Sequence, residues 1–255
     1  LEEVNIAEGL TIIGNNAFEH CKSLENISLP NTLTSIGDGA FQKTISLFNL
    51  ILPNGLETIK KSAFSNSSIS DIIIPASVSK IEEEAFVGCP SLGNVLISAG
   101  LLDTIHEKTF AYSNLHSISI PSNITEIEDE AFSGCVNLTK ISLYNLNPIS
   151  INANVFSGVN INNCLLEVPN EAKNDYLLAP VWQDFNIQSL STNIQSNELS
   201  KQNVFVENNK IIIQNASVNT QVKVYTISGV LIKEFIINGD TQELKLSTRG
   251  IYLVK

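Results

Sequence analysis

Basic residues are scarce in this sequence. The 255 residues include 15 lysines and arginines against 26 aspartates and glutamates, so the net charge is −11 and the pI is about 4.7. Nucleic-acid binding requires a basic stripe or patch, and no stretch of the chain supplies one. No apolar run approaches the ~20 residues of a membrane-spanning helix. The sequence therefore predicts neither nucleic-acid binding nor a membrane span.

Clustered metal ligands and phosphate-binding loops are also lacking. The four cysteines are Cys21, Cys89, Cys135 and Cys164, and they are far apart in the sequence. A zinc site needs cysteine and histidine ligands at close, defined spacing, which this chain does not show. Each glycine falls in a turn, and none belongs to a glycine-rich phosphate loop. The sequence predicts no cofactor.

Apolar residues, in contrast, are abundant and ordered. Hydrophobic residues make up 43% of the chain and charged residues 16%, which is enough apolar material for a folded core. Phenylalanine recurs every 22–24 residues, at Phe18, Phe41, Phe64, Phe86, Phe110, Phe132 and Phe156. A regular period of this length is typical of proteins built from stacked structural repeats.

Two further positions keep step with the phenylalanines. An isoleucine stands five residues before each of them, and alanine immediately precedes all but two, where Thr109 and Val155 take its place. A repeat this short cannot bury its own apolar side, whereas stacked repeats form a continuous core one coil wide. The pattern therefore predicts a solenoid over roughly residues 1–164.

Each repeat also carries an alternating apolar triplet, which predicts one short strand per coil. The outer residues of a triplet point into the core and the middle residue points outward, so stacked coils form a parallel sheet with one exposed row. The segment around each Ala-Phe pair is expected to form a single helical turn. The triplets are residues 27–29, 50–52, 72–74, 95–97, 118–120 and 141–143.

The combined pattern, I-x-[IL]-P-x-x-[LIV]-x-x-I-x-x-x-A-F-x-x-C-x-x-L, resembles the leucine-rich repeat of BspA-like bacterial surface proteins. Ser98 and Tyr144 depart from it at the proline position. The resemblance implies an α/β fold, a right-handed leucine-rich-repeat solenoid with parallel short strands and minimal helix. It also implies surface display, with adhesion to host matrix proteins or to other bacteria.

The repeats end near Cys164, and three further regions follow. Within the solenoid domain, 1–188, residues 165–188 keep one strand and then turn helical, which predicts a cap with Trp182 as its plug. Residues 189–203 are rich in serine, asparagine and glutamine and are expected to form a linker. Residues 204–255 alternate in hydrophobicity between turn residues, which predicts a small antiparallel all-β sandwich domain.

The last region resembles the C-terminal sorting domain of type IX secretion cargo from Bacteroidetes, although Thr226 replaces the usual acid. The resemblance implies export across the outer membrane, followed by display or release, with residues 204–255 read by the secretion machinery. A plain β-sandwich accessory module is the alternative. The matching positions are Val224, Tyr225, Gly229, Ile232, Gly250, Ile251 and Tyr252.

Three of the cysteines share one repeat position. Cys21, Cys89 and Cys135 each follow a phenylalanine by three residues, where other coils carry small residues, so the position is expected to be buried. Coils stack at about the strand spacing of ~4.8 Å. These cysteines lie two or more coils apart, too far for a disulfide, which needs Cα atoms within ~7 Å. Cys164, near the predicted cap, has no assigned role.

Acidic runs at residues 82–84 and 128–130 suggest calcium at first sight. The same repeat position carries lysines at 60–61 and the mixed run 106–108 in neighbouring coils. Charge pairing between coils explains this alternation, at under ~1 kcal/mol per pair. The two acidic runs lie two coils apart and cannot chelate one ion, so no metal site is predicted.

The three histidines do not indicate an active site. His20, His106 and His116 fall at different repeat positions. Stacking brings no matching nucleophile or carboxylate alongside any of them, so the geometry of a catalytic site is not met. The sequence therefore predicts a protein without enzymatic activity.

The outward row of the predicted sheet indicates a binding surface. Three consecutive coils place Ile51, Ile73 and Leu96 in that row, and Phe48 extends it at one edge. Our hypothesis is that Phe48, Ile51, Ile73 and Leu96 contact a protein partner or a second copy of the chain, since contiguous exposed apolar patches mark interaction sites. Two explanations stay open beside it: another segment covers the row, or aliphatic pairing simply stabilises the sheet.

The leading interpretation is a non-enzymatic bacterial protein, on the cell surface or secreted, that adheres to surface proteins through the strand face of its solenoid. A glycan-binding module of a polysaccharide-uptake system is the alternative. It is disfavoured because aromatic residues make up only 7% of the chain and are mostly core phenylalanines. A structural spacer within a longer surface protein is the third, and the complete last strand argues against it.

Overall fold

The computed structural model describes residues 2–190 and the strand segments 203–207, 210–214, 221–226, 231–236, 241–245 and 252–254. The chain divides into two compact units, residues 1–190 and 191–255. Most of the predicted linker, residues 191–202, lies outside the described residues. No helix in the described segments has the length and hydrophobicity that crossing a membrane takes.

The first unit is a parallel-strand solenoid with little helix. Successive coils stack so that their short strands pair in register, on two sides of a shared core. The strands are β1 (Glu3–Asn5), β2 (Ile12–Ile13), β3 (Asn26–Ser28), β4 (Ser35–Ile36), β5 (Thr58–Ile59), β6 (Ile72–Ile74), β7 (Lys80–Ile81), β8 (Asn94–Ile97), β9 (Thr104–Ile105), β10 (Ser117–Ile120), β11 (Glu126–Ile127), β12 (Lys140–Leu143), β13 (Leu165–Val168) and β14 (Asn186–Ser189).

The predicted strand face is present for most of the solenoid length. β6, β8, β10, β12, β13 and β14 form one six-stranded parallel sheet, and β1 pairs with β3 in a separate two-stranded one. In β6, Ile72 and Ile74 are buried and Ile73 is half-buried, as the alternation predicts. The first triplet is shifted by one residue, because the observed strand β3 covers 26–28.

The predicted strand at residues 50–52 is wrong. Only Asn49 forms a bridge in this coil, to Asn26, and the sheet is interrupted between β3 and β6. Leu50 and Leu52 are nevertheless buried and Ile51 is exposed, so the inward and outward alternation survives without the ladder.

All coils up to the one that carries β11 also contribute to a second row of parallel strands, so the prediction of one strand per coil was wrong. The isoleucine five residues before each phenylalanine except Phe156 ends a two-residue strand. These strands form the four-stranded sheet β2-β4-β5-β7 and the pair β9-β11. A two-residue strand is too short to show an alternating pattern, which is why its sequence signal is a single buried residue.

The Ala-Phe segments were predicted to be helical turns, and only the equivalent segment of the last coil, Ala153–Phe156, forms one, a 3-10 turn. The backbone N–H of Phe41 donates to the carbonyl of Ala63 in the next coil at 2.7 Å, and Phe64 donates to Ala85 at 2.8 Å. A helix would satisfy these N–H groups within its own turn. The segment instead alternates local turn bonds with bonds between coils, so it forms a third ladder along the stack.

This ladder requires a left-handed backbone on both sides of the phenylalanine. Around Phe110, Lys108 has a φ of 55° and Tyr112 a φ of 58°. Gly88 and Gly134, two residues after their phenylalanines, adopt the same conformation without the steric cost that a Cβ brings. The positions carry many residue types, because the bonds between coils outweigh a modest local strain.

The core is organised around one column of phenylalanine rings. From Phe18 to Phe156 the rings stack with centroids 5.2–5.7 Å apart and planes within 2–10° of parallel. The centroid separation exceeds the strand spacing because the rings are offset, which is the favoured stacked arrangement. The alanines before the inner phenylalanines are buried beside the column.

Residues 165–190 close this column. Trp182 and Phe185 meet the last ring, Phe156, edge-on, with centroids 5.7 and 5.1 Å away. The Trp182 side chain is fully buried, and its Nε1–H donates to the carbonyl of Ile149 at 2.7 Å. The sequence thus identified Trp182 correctly as a core residue here. The short α-helix α1 (Lys173–Tyr176) adds the buried Tyr176.

Two coils carry one extra residue between their strand in the first sheet and the isoleucine that precedes the phenylalanine, and the second sheet breaks at both. In these coils the phenylalanine spacing is 24, ending at Phe110 and Phe156. β7 does not pair with β9, and no strand follows β11 in this sheet. The ladder through the Ala-Phe segments continues across both breaks, so the coils stay stacked.

The second unit consists of antiparallel strands. They are β15 (Asn203–Glu207), β16 (Lys210–Gln214), β17 (Gln221–Thr226), β18 (Leu231–Ile236), β19 (Thr241–Lys245) and β20 (Tyr252–Val254). They pair in two three-stranded sheets, β15-β16-β19 and β18-β17-β20. The antiparallel pairing agrees with the sequence pattern, and the predicted sandwich packing of these sheets stays a prediction.

Replacing one inner ring of the column tests how far the fold depends on it. Phe86→Ala is expected to lower the free energy of unfolding by about 3–5 kcal/mol, because it opens a cavity in a closely packed core. Phe18→Ala, at the partly buried first ring, is the matched control and should cost clearly less. Urea unfolding followed by circular dichroism measures both, and equal losses would contradict the column's role.

Candidate functional site

The outward row of the six-stranded sheet differs between its two halves. Strand register aligns Ile73 with Leu96, Leu96 with Ser119, and Ser119 with Ser142. Ser142 is followed in register by Glu167. The row is therefore aliphatic at one end of the sheet and polar at the other.

The four residues predicted to form a contact site differ in exposure. Ile51 is 68% exposed and Phe48 is 50% exposed, whereas Ile73 and Leu96 are half-buried. The sheet register places Ile73 directly beside Leu96. Phe48 and Ile51 lie in the coil where the sheet is interrupted. We call these four residues the apolar strand-face patch.

The coil that carries Phe48 and Ile51, the most exposed residues of the patch, is hydrogen-bonded to the next coil. The Phe48 carbonyl accepts hydrogen bonds from both the N–H and the Oγ of Ser70, each at 2.9 Å. Leu47 and Leu50 on either side are buried in the core. Phe48 is thus presented from a fixed backbone although its coil forms no regular strand.

One exposed apolar residue near the patch was missed by the sequence analysis. Ile45 is 50% exposed and lies in the turn three residues before Phe48. Its position carries unrelated residue types in other coils, such as Lys22 and Ser68, so the repeat pattern gave no reason to notice it. An aliphatic residue at a variable turn position was the available signal.

A polar ladder borders the patch. Asp71 Oδ1 accepts hydrogen bonds from the Asn94 N–H at 2.9 Å and from its Nδ2 at 2.8 Å. Ser117 Oγ donates to Asn94 Oδ1 at 2.6 Å. These side chains satisfy one another across the coils, so the patch has an ordered hydrophilic border, the arrangement found at the rim of protein interfaces.

The polar half of the row is closed by internal contacts. Glu167 Oε2 lies 2.9 Å from Ser142 Oγ and 3.1 Å from Lys140 Nζ. Ser142 is buried although it was predicted to point outward, because Glu167 covers it.

The acidic run 128–130 forms ion pairs with the neighbouring coil, as predicted, whereas Glu82 of the run 82–84 pairs with Lys80 of its own coil. His106 Nδ1 lies 3.1 Å from Glu128 Oε1, and Lys108 Nζ lies 3.6 Å from Glu130 Oε2. Burial opposes ionisation of Glu82, but hydrogen bonds from the Lys80 ammonium and a backbone N–H keep its pKa below the usual value. In the described residues no three acidic, histidine or cysteine side chains converge as a metal-ligand set.

The histidines lie apart from one another. His20 stands beside Glu19 at 3.5 Å, and His106 beside Glu128. The His116 backbone is fixed to Gly93 in the adjacent coil by an N–H···O bond of 2.7 Å. Each histidine therefore contacts different residues from the other two.

The shared cysteine position is a buried hydrogen-bonding site. Cys89 Sγ and Cys135 Sγ each donate to the carbonyl of a phenylalanine one coil earlier at 3.1 Å. Burial raises the pKa of Cys89 to about 12 and that of Cys135 to about 11. Burial also raises the pKa of Cys164 to about 12. All four cysteines are free thiols in this structure, and Cys21 alone is partly exposed.

Comparison with known proteins identifies the repeat. The sequence matches the family described as BspA type Leucine rich repeat region, in six copies over residues 1–104 and 103–221. A search among curated proteins found no significant match.

Several solved structures of leucine-rich repeat proteins are similar. The T. pallidum protein TpLRR is 29% identical, with 55% of this chain and 72% of that one aligned and a TM-score of 0.45. A leucine-rich repeat protein from Bacteroides ovatus is 24% identical, with 74% and 66% aligned and a TM-score of 0.34. The pneumococcal vaccine antigen PcpA is 14% identical, with 75% and 68% aligned and a TM-score of 0.42.

Thiol labelling tests the cysteine assignments. With Ellman's reagent on the native chain, Cys21 is expected to react rapidly and the other three thiols only after denaturation, because they are buried and protonated. Cys21→Ser should remove the fast phase. Rapid labelling of Cys89 or Cys135 would contradict the buried stacking position.

The same burial predicts a loss of stability at high pH. The pKa of Cys89 rises from 9.0 to about 12 on folding, so the unfolded chain releases this proton at lower pH than the folded chain. The stabilisation is complete below pH 9.0 and is lost as the pH rises towards about 12. Unfolding titrations of the chain and of Cys89→Ala should therefore diverge in slope across this range.

Proposed function

Because the chain belongs to the BspA-type leucine-rich repeat family, we propose that it is a non-enzymatic binding protein of the bacterial surface or extracellular space. In this proposal the apolar strand-face patch, Phe48, Ile51, Ile73 and Leu96, contacts a protein partner. Adhesion to host matrix proteins or to other bacterial surface proteins is the role that this contact would serve.

The observation that carries the proposal is the exposure of Ile51 and Phe48 on a rigid backbone. Burial of one such side chain against a partner contributes about 1.5–3 kcal/mol. Little conformational entropy is lost, since hydrogen bonds between coils already fix the coil that carries Phe48. An exposed aromatic residue with aliphatic neighbours and an ordered polar border has the composition of a binding hot spot.

The border of the patch favours a protein over a small molecule. Asn94 donates hydrogen bonds to the Asp71 carboxylate, so these polar groups are already paired. The two residues therefore form a rim that excludes water, and they do not direct free polar groups at a ligand. Two cavities in the described part of the solenoid are lined by residues of other coils. A broad, shallow, apolar surface of this kind is typical of protein contacts.

Introducing a charge into the patch tests this function. Ile51→Glu is expected to weaken binding to the partner at least about tenfold, because a charge would be buried in an apolar contact. Surface plasmon resonance against matrix proteins and bacterial surface proteins measures the effect. Ser119→Glu, in the same outward row but in the polar half, is the matched control and should bind like the unaltered chain.

Two results would overturn the proposal. Equal affinity for Ile51→Glu and the unaltered chain would exclude the patch as the contact. Equal loss in Ile51→Glu and Ser119→Glu would show a general effect of charge. Size-exclusion chromatography of the same variants shows whether the contact joins two copies of this chain.

For the second unit we propose a role as a type IX sorting domain. The Val224-Tyr225 motif lies in β17, the middle strand of its sheet, which pairs with β18 on one side and β20 on the other. The register joins Thr226 to Tyr252 in the final strand. The two motifs of the sorting-domain resemblance are therefore hydrogen-bonded neighbours. Gly229, Gly250 and Ile251 lie outside the described residues.

Export of a reporter tests this role. A fluorescent protein with an N-terminal signal peptide and residues 189–255 at its C-terminus is expected to reach the surface or medium of a bacterium with an active type IX secretion system. It should remain in the periplasm of a strain that lacks that system. Retention of the fusion in both strains would overturn the sorting role and leave an accessory module.

A further inference from the structure

The break in the second sheet after β11 leaves a groove between two successive coils. β11 pairs with β9 on one side, and the facing residues 149–152 form no strand. This is one of the two coils with an extra residue, which falls between β12 and the isoleucine Ile151. The coil is thus too long to follow its neighbour closely along the second sheet.

The break leaves backbone groups without the bonds that other coils make. One coil earlier, the Thr125 N–H donates to Asp103 at 2.8 Å in this ladder. The equivalent N–H of Ile149 has no partner within the described residues, and the carbonyl of Ile127 accepts no bond there. Both residues are buried. Unpaired backbone groups at buried residues are rare, and such groups are normally satisfied by water or by a ligand.

A side-chain acceptor in the same place is also unpaired. Asn145 is only 8% exposed, and its Nδ2 donates to the carbonyls of Ser122 at 3.3 Å and Ile124 at 2.7 Å. Its Oδ1 is buried and has no donor within the described part of the chain. An amide oxygen left in this condition costs about 1–3 kcal/mol, a penalty that the lengthened coil carries.

The groove has two parts that meet at Ser150. One part, of about 460 Å³, is neutral, with Ser122, Thr125 and Asn147 among its polar lining and Pro148 as an apolar surface. The other part, of about 400 Å³, is lined partly by carboxylates. Volumes of this order hold a small ligand of one or two rings.

The groove is bounded at both ends. The Phe132 N–H donates to the Val155 carbonyl at 3.0 Å, which holds the two coils together beyond the carboxylate part. The bonds from Asn145, which lines the neutral part, hold them together there. A ligand in this space must therefore be short, or must insert only one of its ends into the groove.

The chemistry of the lining identifies the ligand class. Free N–H groups and free oxygens are both present, so the ligand must carry donors and acceptors at close spacing. Sugar hydroxyls do both, and the apolar face of a sugar ring fits beside Pro148 and the exposed Leu146. Glu126 and Asp129 line the carboxylate part, so an anionic ligand would be repelled.

An extended peptide is a poorer fit. Strand addition needs a continuous edge of alternating backbone groups, and β11 is only two residues long. The bonds at both ends of the groove leave no path for a chain to run through.

From this geometry we infer that the groove between β11 and residues 149–152 is a binding site for a short neutral saccharide. The site is separate from the apolar strand-face patch, and either could be present without the other. Asn147, Thr125 and Ser150 supply its polar contacts, together with the unpaired backbone groups of Ile127 and Ile149.

Amide NMR of the ¹⁵N-labelled full chain tests the site. The probes are neutral disaccharides and tetrasaccharides of glucose, mannose and N-acetylglucosamine, with an oligogalacturonate as the anionic control. At least one neutral saccharide should shift the amide signals of Ile149, Ser150 and Asn152 in a saturable manner, and the anionic control should not. No saturable shift at millimolar concentrations of any neutral probe would overturn the inference.

Two variants establish the location. Ser150→Leu, at an exposed position, should reduce the affinity at least about tenfold by filling the groove, and Asn147→Ala about threefold to tenfold by removing one hydrogen bond. Thr104→Leu is the matched control, at the same repeat position of the other lengthened coil, and should bind as the unaltered chain does. Equal loss in all three variants would overturn the site.

The test also separates this inference from the proposed protein contact. Ile51→Glu should leave saccharide binding unchanged, and Ser150→Leu should leave protein binding unchanged. Shifts confined to the strand face, or binding of a basic peptide in the groove in place of every saccharide, would contradict the assignment.

Discussion

Every coil of this solenoid depends on its neighbour to satisfy its backbone hydrogen-bonding groups. A repeat of 22–24 residues folds around one phenylalanine, and its two strands and its Ala-Phe turn each face the next coil. The strand ladders break locally in both sheets, whereas the turn ladder and the ring column run through the breaks. The ring column and the turn ladder therefore keep the coils stacked where the sheets do not.

This hierarchy explains which features the sequence revealed. The phenylalanine period, the buried isoleucines and Trp182 are all large apolar residues with a single place in the core, so their positions predicted the stack and its closed end. The Cys89 and Cys135 positions were equally readable, because only small side chains fit there. At these positions the residue type itself indicates that the side chain is buried.

Features that depend on backbone bonding were not readable in this way. The two-residue strands offer no alternation, and the Ala-Phe turns have the composition of a helix while their N–H groups bond to the next coil. Residues 50–52 alternate like a strand and yet form none. At the candidate patch, the sequence identified Ile51 and Phe48 as outward residues, but the half-burial of Ile73 and Leu96 depends on the side chains packed around them.

Both proposed contact sites of this protein lie in irregular coils. The interrupted coil at Ile51 exposes apolar side chains on a fixed backbone, and the lengthened coil at Ser150 leaves polar groups unpaired beside a groove. A perfectly regular stack would bury both kinds of group against the next coil. Both proposed contacts thus arise where a coil departs from the regular strand pattern or the regular length of the repeat.

Residue-resolved hydrogen exchange of the native chain tests this dependence on neighbouring coils most directly. The amides of Ser35 and Gly37, which bond to the preceding coil, are expected to exchange slowly. Ser150 and Asn152, at the same repeat positions after the break, are expected to exchange much faster. Equal protection at the two sets of positions would show that the coils are joined alike throughout, and would contradict the account.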